Sequence, residues 1–593
     1  MLDSRARRKG LKSLDPSRNK LIPIGMEINA RGRVTKNSYG VFHLSWRAAQ
    51  HPETAPVISA ELDEIHARIR RAHGIRLRFL MWAGMGGSAE DKSMYNAVGL
   101  LKSGVRCYVL DSTDPAKLRS ILEDMTRRSG LSLRDALRST LVVGMALGMT
   151  SYEPVVNLER VAALYDRNRI DSAANILYMT LPGSLLDQFA SRRGYRRVEL
   201  QPDGGNSTAG RHSSPLTRGS LYPLGLAGVD LDAWIRGTFL SEEQILAAWR
   251  LSSFLHAQGL EGRDKVTWLL PKPWAGAGVW TKQDFEESLG KSEEIGIKIV
   301  IGEKPKLANY HAPKDPRQDR VFVAVQAAGL EGPEASKLAA IRSAGYPLAV
   351  VRVPADPLSA YMQWIHYAVF GVGWLRGMNF VTQPSVELYK AITSRVFTGA
   401  QKAGAIARTE DWQAMKKSPH LARHRRGITL YYANAGVNPP AGAASALYAK
   451  ILESLASRRR AEYGELTFFG DTRYSASGRA VRQVLDRAAE NLFRRRLKMP
   501  VDVYEGPAMN HSYHEMVIGH GRAISTVLVS EKQASIPEVG YTGEYHLAQF
   551  MATQLALAER DRAVVAILLK DLEDDTIAAL DEFFRAAATE LAR

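Results

Sequence analysis

The sequence predicts an α/β protein of doubly wound parallel sheets covered by helices on both faces, and three observations predict it. Short apolar runs, partly β-branched or aromatic, alternate with longer amphipathic stretches. The alternation comes in two series, from about residue 76 and from about residue 265, as βαβ units of a fully buried sheet require. At 593 residues the chain also exceeds what a single core holds.

Residues 1–50 read as a basic arm. They lack the apolar segment of a secretory signal, and no run of about 18 apolar residues occurs, so a cytoplasmic protein without membrane contact is expected. Residues 51–240 form the first expected domain, with strands in "LRFLMWAG", "VRCYVLDS", "TLVVGMALG", "NILYMTL" and "RRVELQP". The stretch "GTFLSEEQILAAWRLSSFLHAQG" reads as a joining helix. In the second expected domain, 241–593, strands fall in "KVTWLLP", "IKIVIG", "RVFVAVQ", "PLAVVRV", "LTFFG", "VDVYEG", "ISTVLVS" and "AVVAILL". A helical, Ala- and Arg-rich insertion is expected around 385–460, and "LEDDTIAALDEFFRAAATELAR" has the period of a terminal helix.

Cys107 is the single cysteine, which excludes an intramolecular disulfide and a cysteine-cluster metal site. The formal charge of +17 raises nucleic acid as a partner. The dense runs at Arg5–Lys9, Lys416–Arg426, Ser457–Glu462 and Phe493–Lys498 are mixed with acidic residues, however, and follow no zinc-finger or basic-aromatic pattern. They read as solvated helix faces, and nucleic acid is not expected.

The turn Gly84-Met85-Gly86-Gly87-Ser88 leaves a strand where ligands of parallel sheets gather. It holds the start of a dinucleotide fingerprint, with Ala89 in the third glycine's place and Asp111 after the next strand, but no G-K-S/T of a triphosphate loop. A plain strand-to-helix turn fits as well. Thr150 and Ser151 follow the third strand, where hydroxyls cap a helix or bind phosphate. In a doubly wound sheet they reach the same edge as Ser88, and that convergence favours a phosphomonoester.

Five segments, in order from about 85 to 390, resemble the glucose-6-phosphate isomerase family. The glycine turn is similar to its G-I-G-G-S loop, "VLDSTDPAKL" to its S-N-x-D-x-x-x-L turn, and "AGRHSSPLTRGSLYPLGLAGVD" to the stretch that bears its active-site arginine, here Arg211. "EESLGK" resembles E-S-x-G-K, placing Glu287 on the catalytic glutamate. "GMNFVTQPSVELYK" resembles the helix bearing the functional glutamine and lysine, here Gln383 and Lys390. The lead-in "IHYAVFGVGWLRGMNF" is closest to the isomerase half of transaldolase/isomerase fusions.

The resemblance implies two doubly wound sugar isomerase (SIS) domains, three-layer αβα sandwiches with helical extensions. It implies interconversion of glucose 6-phosphate and fructose 6-phosphate, a homodimer, and neither cofactor nor metal. The alternative is a phosphosugar-binding SIS protein with altered specificity or no turnover. Moving a proton between C1 and C2 calls for a carboxylate, Glu287, with Arg211 stabilising the enediolate. Gly87, Ser88, Thr150, Ser151 and Gln383 would bind substrate, while Lys390 and a histidine would open the ring.

The histidine is the difficulty, because the family's G-T-N-G-Q-H segment is missing between Glu287 and Gln383. His311 lies there without matching context. "MNHSYHEMVIGHG" resembles the N-x-H-N-E-I-x-G segment of phosphoglucose/phosphomannose isomerases and nominates His514, with His511 and His520 as competitors. A second departure is Ala146-Leu147-Gly148 where the family has S-K-S/T, which removes two hydroxyls and an ammonium from the phosphate pocket. Arg473 in "ELTFFGDTRYSASGRAV" is expected near a ligand edge.

Overall fold

The structure, a computed structural model, describes residues 27–28, 34–36, 52–200, 214–292, 296–354, 357–378 and 383–592. A short antiparallel pair, β1 (Glu27–Ile28) and β2 (Val34–Lys36), precedes the long helix α1 (Thr54–His73). Helix α1 buries Ile58, Leu62, Ile65 and Ile69 on one stripe and ends at Gly74 in the left-handed conformation.

The first sheet holds β3 (Phe79–Ala83), β4 (Arg106–Leu110), β5 (Thr140–Met145), β6 (Ile176–Met179) and β7 (Arg196–Arg197) in the order β4-β3-β5-β6-β7, all parallel. Every residue of β3 and β5 is buried, as expected of central strands covered on both faces. The helices α2 (Glu90–Ala97), α3 (Pro115–Ser129) and α4 (Glu153–Arg167) follow β3, β4 and β5. Strand order reverses between β3 and β5, so their two outgoing loops, 84–89 and 146–152, lie side by side at the switch point.

All of the expected strands form, but the second series divides between two sheets. Strands β8 (Lys265–Leu269), β9 (Lys298–Val300), β10 (Arg320–Ala327) and β11 (Leu348–Val353) make a parallel sheet in the order β11-β10-β8-β9, with α5 (Gly278–Leu289) between β8 and β9. After β11 the chain runs through Leu358–Arg376 and α6 (Pro384–Ala403). A third sheet follows: β12 (Leu421–His424), β13 (Ile428–Tyr431), β14 (Tyr463–Phe469), β15 (Val501–Gly506), β16 (Ala523–Ser530) and β17 (Ala563–Leu569), in the order β12-β13-β17-β16-β14-β15.

The stretch expected as a helical insertion therefore contains a β-hairpin. β12 and β13 turn at Arg426 and Gly427, both at positive φ, and β13 adds antiparallel to β17. "ITLYY" has the β-branched and aromatic residues a strand favours, which outweigh its helical surroundings. Helix α7 (Ala444–Ser457) precedes β14, α8 (Ala476–Ala488) follows it, and the short α9 (His514–Gly519) lies between β15 and β16. Counted from β3, β8 and β14, four parallel strands run 2-1-3-4 in each sheet; β7 extends the first sheet and the β12–β13 hairpin the third.

Candidate active site

The glycine turn is built around its own serine. The Met85 N–H donates to Ser88 Oγ and the Ser88 hydroxyl donates to the Met85 carbonyl, both at 2.8 Å, while Trp82 Nε1 donates to the Ser88 carbonyl. Gly86 adopts φ +51°, and a Cβ on it would lie 2.8 Å from both Cβ and the carbonyl oxygen of His511. The glycine is thus the seat on which a histidine from the third unit packs.

His511 is the centre of a buried polar group. Its Nε2 lies 3.0 Å from Glu153 Oε1, at the first turn of α4, and Gln549 Nε2 donates to the same oxygen at 3.2 Å. Burial pushes the Glu153 carboxyl up, but the charge and hydrogen bond of His511, its own backbone amide and Lys390 outweigh it and hold it at about 2. The Tyr389 ring meets His511 edge-on, with centroids 5.9 Å apart.

Lys390 follows Tyr389 on α6 and reaches the loop after β5. Its Nζ bonds Glu387 at 2.7 Å and lies 3.7 Å from where a Cβ on Gly148 would stand; Ser151 Oγ lies 3.0 Å from that point. An ammonium therefore stands beside the Ala146-Leu147-Gly148 loop that carries none itself. Ser151 is half-buried and Thr150 exposed, and neither caps α4, whose N-cap residue is Tyr152.

Glu286 and Glu287 face different partners, as successive helix residues 100° apart must. Glu286 joins a fully buried network: its Oε1 accepts from Lys282 at 2.7 Å, Lys298 at 2.8 Å and the Ile299 N–H at 2.8 Å, and both lysines also bond Asp502. Glu287 accepts from Gln283 Nε2 at 3.0 Å and stands close enough to Glu515 to influence its ionisation. Glu515 Oε2 takes the Ser385 and Val386 N–H groups, at 3.0 and 3.2 Å, at the start of α6, next to Gln383 at the N-cap; Oε1 has no hydrogen-bond partner among the described residues. Burial pushes the Glu515 carboxyl up to about 7, Lys291 and the two amides oppose the rise, and Glu287 adds to it.

Helix α6 thus joins two groups of side chains. Its first turn meets Glu515 beside Glu287, and its second turn meets His511, Glu153 and the β5 loop. The separation is about 10 Å along the axis for the seven residues from Gln383 to Lys390.

The other histidines lie elsewhere. His514, the nominated residue, is fully buried with Nε2 2.9 Å from Glu465 Oε1 on β14; Ser525 and Thr467 hold the same carboxylate. His520 pairs with Asp264 at 2.7 Å, and His311 stands 3.5 Å from Asp315. Arg211 lies outside the described residues. Asp264, Asp319 and Glu462 are near enough to hold a metal ion, but the Lys265 ammonium bonds all three. Arg473 bonds Asp111, Glu505 and Ser93 and lines a cleft of about 820 Å³ that also touches Ala508, Met509 and Tyr513 around His511.

No family model matches the chain. Curated relatives do: the glucose-6-phosphate isomerase of Prochlorococcus marinus is 27% identical over 268 residues, 42% of this chain and 47% of that protein. That of Citrifermentans bemidjiense is 28% identical over 265 residues, 43% of this chain and 48% of that protein. The chain has homologues among the glucose-6-phosphate isomerases. It spans about half the length of the curated relatives it matches. Among solved structures, a glucose-6-phosphate isomerase from Chlamydia trachomatis D/UW-3/Cx overlays with a TM-score of 0.46 at 16% identity, over 70% of this chain and 87% of that one. No described helix is long and apolar enough to cross a membrane.

Proposed function

We propose that the protein is a soluble cytoplasmic aldose-ketose isomerase that interconverts glucose 6-phosphate and fructose 6-phosphate through an enediol, and that it works as a homodimer. The observation that carries this reading is the meeting, along α6, of Glu287 with Glu515 and of His511 with Glu153 over the glycine turn. Glu287 carries the proton between C1 and C2. Glu515, beside it and raised to about 7, resists a second full negative charge in the same place.

Ring opening falls to His511 rather than His514. Glu153, held ionised, fixes the Nε2 proton of His511 and leaves Nδ1 as the nitrogen that exchanges a proton with the ring oxygen or anomeric hydroxyl. Lys390 takes the phosphate together with Ser151, Thr150 and the amides of the glycine turn, including Gly87, and replaces the ammonium missing from the β5 loop. Gln383 orients the sugar from the N-cap of α6, and Arg211 stabilises the enediolate.

The test is Glu287→Gln. Exchange of the C2 hydrogen of glucose 6-phosphate with solvent should vanish while sugar-phosphate binding, read by thermal shift, persists. Retained exchange removes Glu287 as the base. The second reading, a phosphosugar-binding protein without turnover, is favoured by the Ser88 hydroxyl being held within its own turn; it would show as wild-type binding with no exchange.

A further inference from the structure

Two basic runs of the sequence, Ser457–Glu462 and Phe493–Lys498, are separated in the chain by β14 and α8 yet close on one pocket. The pocket has a volume of about 290 Å³ and lies where the second unit meets the third. Arg459, Arg496 and Lys498 line it from the third unit, and Arg317 and His311 from the second.

Two of the three carboxylates of the lining are already engaged. Asp319 and Glu462 bond the buried Lys265 ammonium, Glu462 also takes Arg459 at 3.0 Å, and Arg317 is held by Asp315 at 3.0 Å. Among the described residues, Glu453, the remaining carboxylate of the lining, makes no ion pair, and neither do Arg496 and Lys498. Lys498 ends the helical run Ala489–Leu497 at φ +55°, a backbone conformation that a lysine adopts at a cost. His311 registers the field: burial first, then the charges of Arg317 and, more weakly, Lys498 push its imidazole below the usual range, against Asp315. The shift favours the neutral ring, which stands at the pocket wall beside Asp315.

We propose that this junction binds a small phosphorylated anion, a phosphomonoester or diphosphate, bridging the second and third units. Guanidinium and ammonium groups without carboxylate partners are the groups that recognise phosphate. A pocket of this volume sits at the lower end of small-ligand sites. Its cations gather around one pocket, whereas a nucleic-acid strand needs them in a row along a groove. The bound anion ties the unit that carries Glu287 to the unit that carries His511 and Glu515. The site does not depend on the isomerase reading.

Inorganic pyrophosphate titrated into the full chain at about 0.15 M ionic strength, followed by calorimetry and thermal shift, tests this. The pair Arg496→Gln/Lys498→Gln alters an exposed and a half-exposed residue. It should weaken binding about tenfold or more and remove most of the rise in melting temperature. Arg70→Gln/Arg71→Gln, which removes the same charge from exposed positions on α1, and Lys390→Gln should both leave that binding in place. Absence of pyrophosphate binding, equal weakening by the two arginine-containing pairs, or loss only in Lys390→Gln would overturn the proposal. Tighter binding of a single-stranded oligonucleotide than of pyrophosphate at Arg496 and Lys498 would overturn it too.

Discussion

The turn after β3 and the turn after β14 occupy the same place in two sets of four parallel strands of the same order, yet they are filled differently. After β3, Gly86 leaves a hollow that receives His511 from another unit. After β14, the loop wraps its own carboxylate: Asp471 accepts N–H groups from Arg473 at 3.0 Å, Tyr474 at 3.0 Å and Ser475 at 2.6 Å, and its carbonyl leaves no room for a side chain on Gly478. Those are the amides that would otherwise point at a bound anion. Strand order places a loop at the switch point; whether the loop becomes a site depends on whether its donors are already satisfied from within.

The comparison breaks most severely at Gly86. Gly86→Ala adds a Cβ at positive φ within 2.8 Å of both the side chain and the backbone of His511. Turnover should fall by about 100-fold or more, with roughly 1–3 kcal/mol of stability lost to strain and displacement. Steady-state kinetics with a denaturant melt separates the two effects. An active Gly86→Ala enzyme would mean that the seat of His511 is unimportant.

Emptying the third-unit loop should have a smaller effect, on stability alone. Asp471→Ala leaves three buried-side amides without their acceptor, a loss of about 1–3 kcal/mol. Millimolar phosphate should restore part of the melting temperature of this variant and add nothing comparable to the Asp471→Asn protein, whose amide oxygen still fills the loop. Equal responses would show that the loop holds no latent anion site.

A pH dependence is expected at Glu515. Its carboxyl is raised from 4.5 to about 7 in the folded chain, so the folded state holds the proton more tightly than the unfolded one. Stability from this group is complete below about pH 4.5 and is lost as pH rises through 7. Across that window the wild-type melting temperature should decline relative to Glu515→Gln. Parallel curves would place the carboxyl in its ordinary range.

The local features of this fold were legible in the sequence because they are local. From "LRFLMWAG" to "AVVAILL" the strands declared themselves through length, β-branching and flanking turns, except the β12–β13 hairpin, whose Ala- and Arg-rich surroundings read as helix. Sheet membership was not legible, since β11 and β14 look alike as strings and only long-range pairing assigns them to different sheets. The site shows the same division. Glu286 and Glu287 are chemically identical neighbours, and helix rotation alone sends one to Lys282 and Lys298 and the other toward Glu515.

The histidines of "MNHSYHEMVIGHG" divide in the same way: Glu153 on α4, Glu465 on β14 and Asp264 before β8 take one each, and none of these partners is near in sequence. The family resemblance of the segment favoured His514, whose side chain the fold turns toward Glu465 on β14.

The central claim is that the first unit's glycine turn, the second unit's Glu287 and the third unit's His511 make one catalytic centre. Paired variants test it most directly: His511→Ala and His514→Ala, each measured for turnover of ring-closed glucose 6-phosphate and for thermal stability. His511→Ala should lose turnover by about 100-fold or more even at temperatures where it is folded, and, because it too strands a buried carboxylate, Glu153, it should melt below the wild type. His514→Ala, which strands the buried Glu465 carboxylate, should lose about 3–5 kcal/mol of stability and keep its turnover at temperatures where it is folded. A stable, inactive His514→Ala beside a fully active His511→Ala would contradict the account.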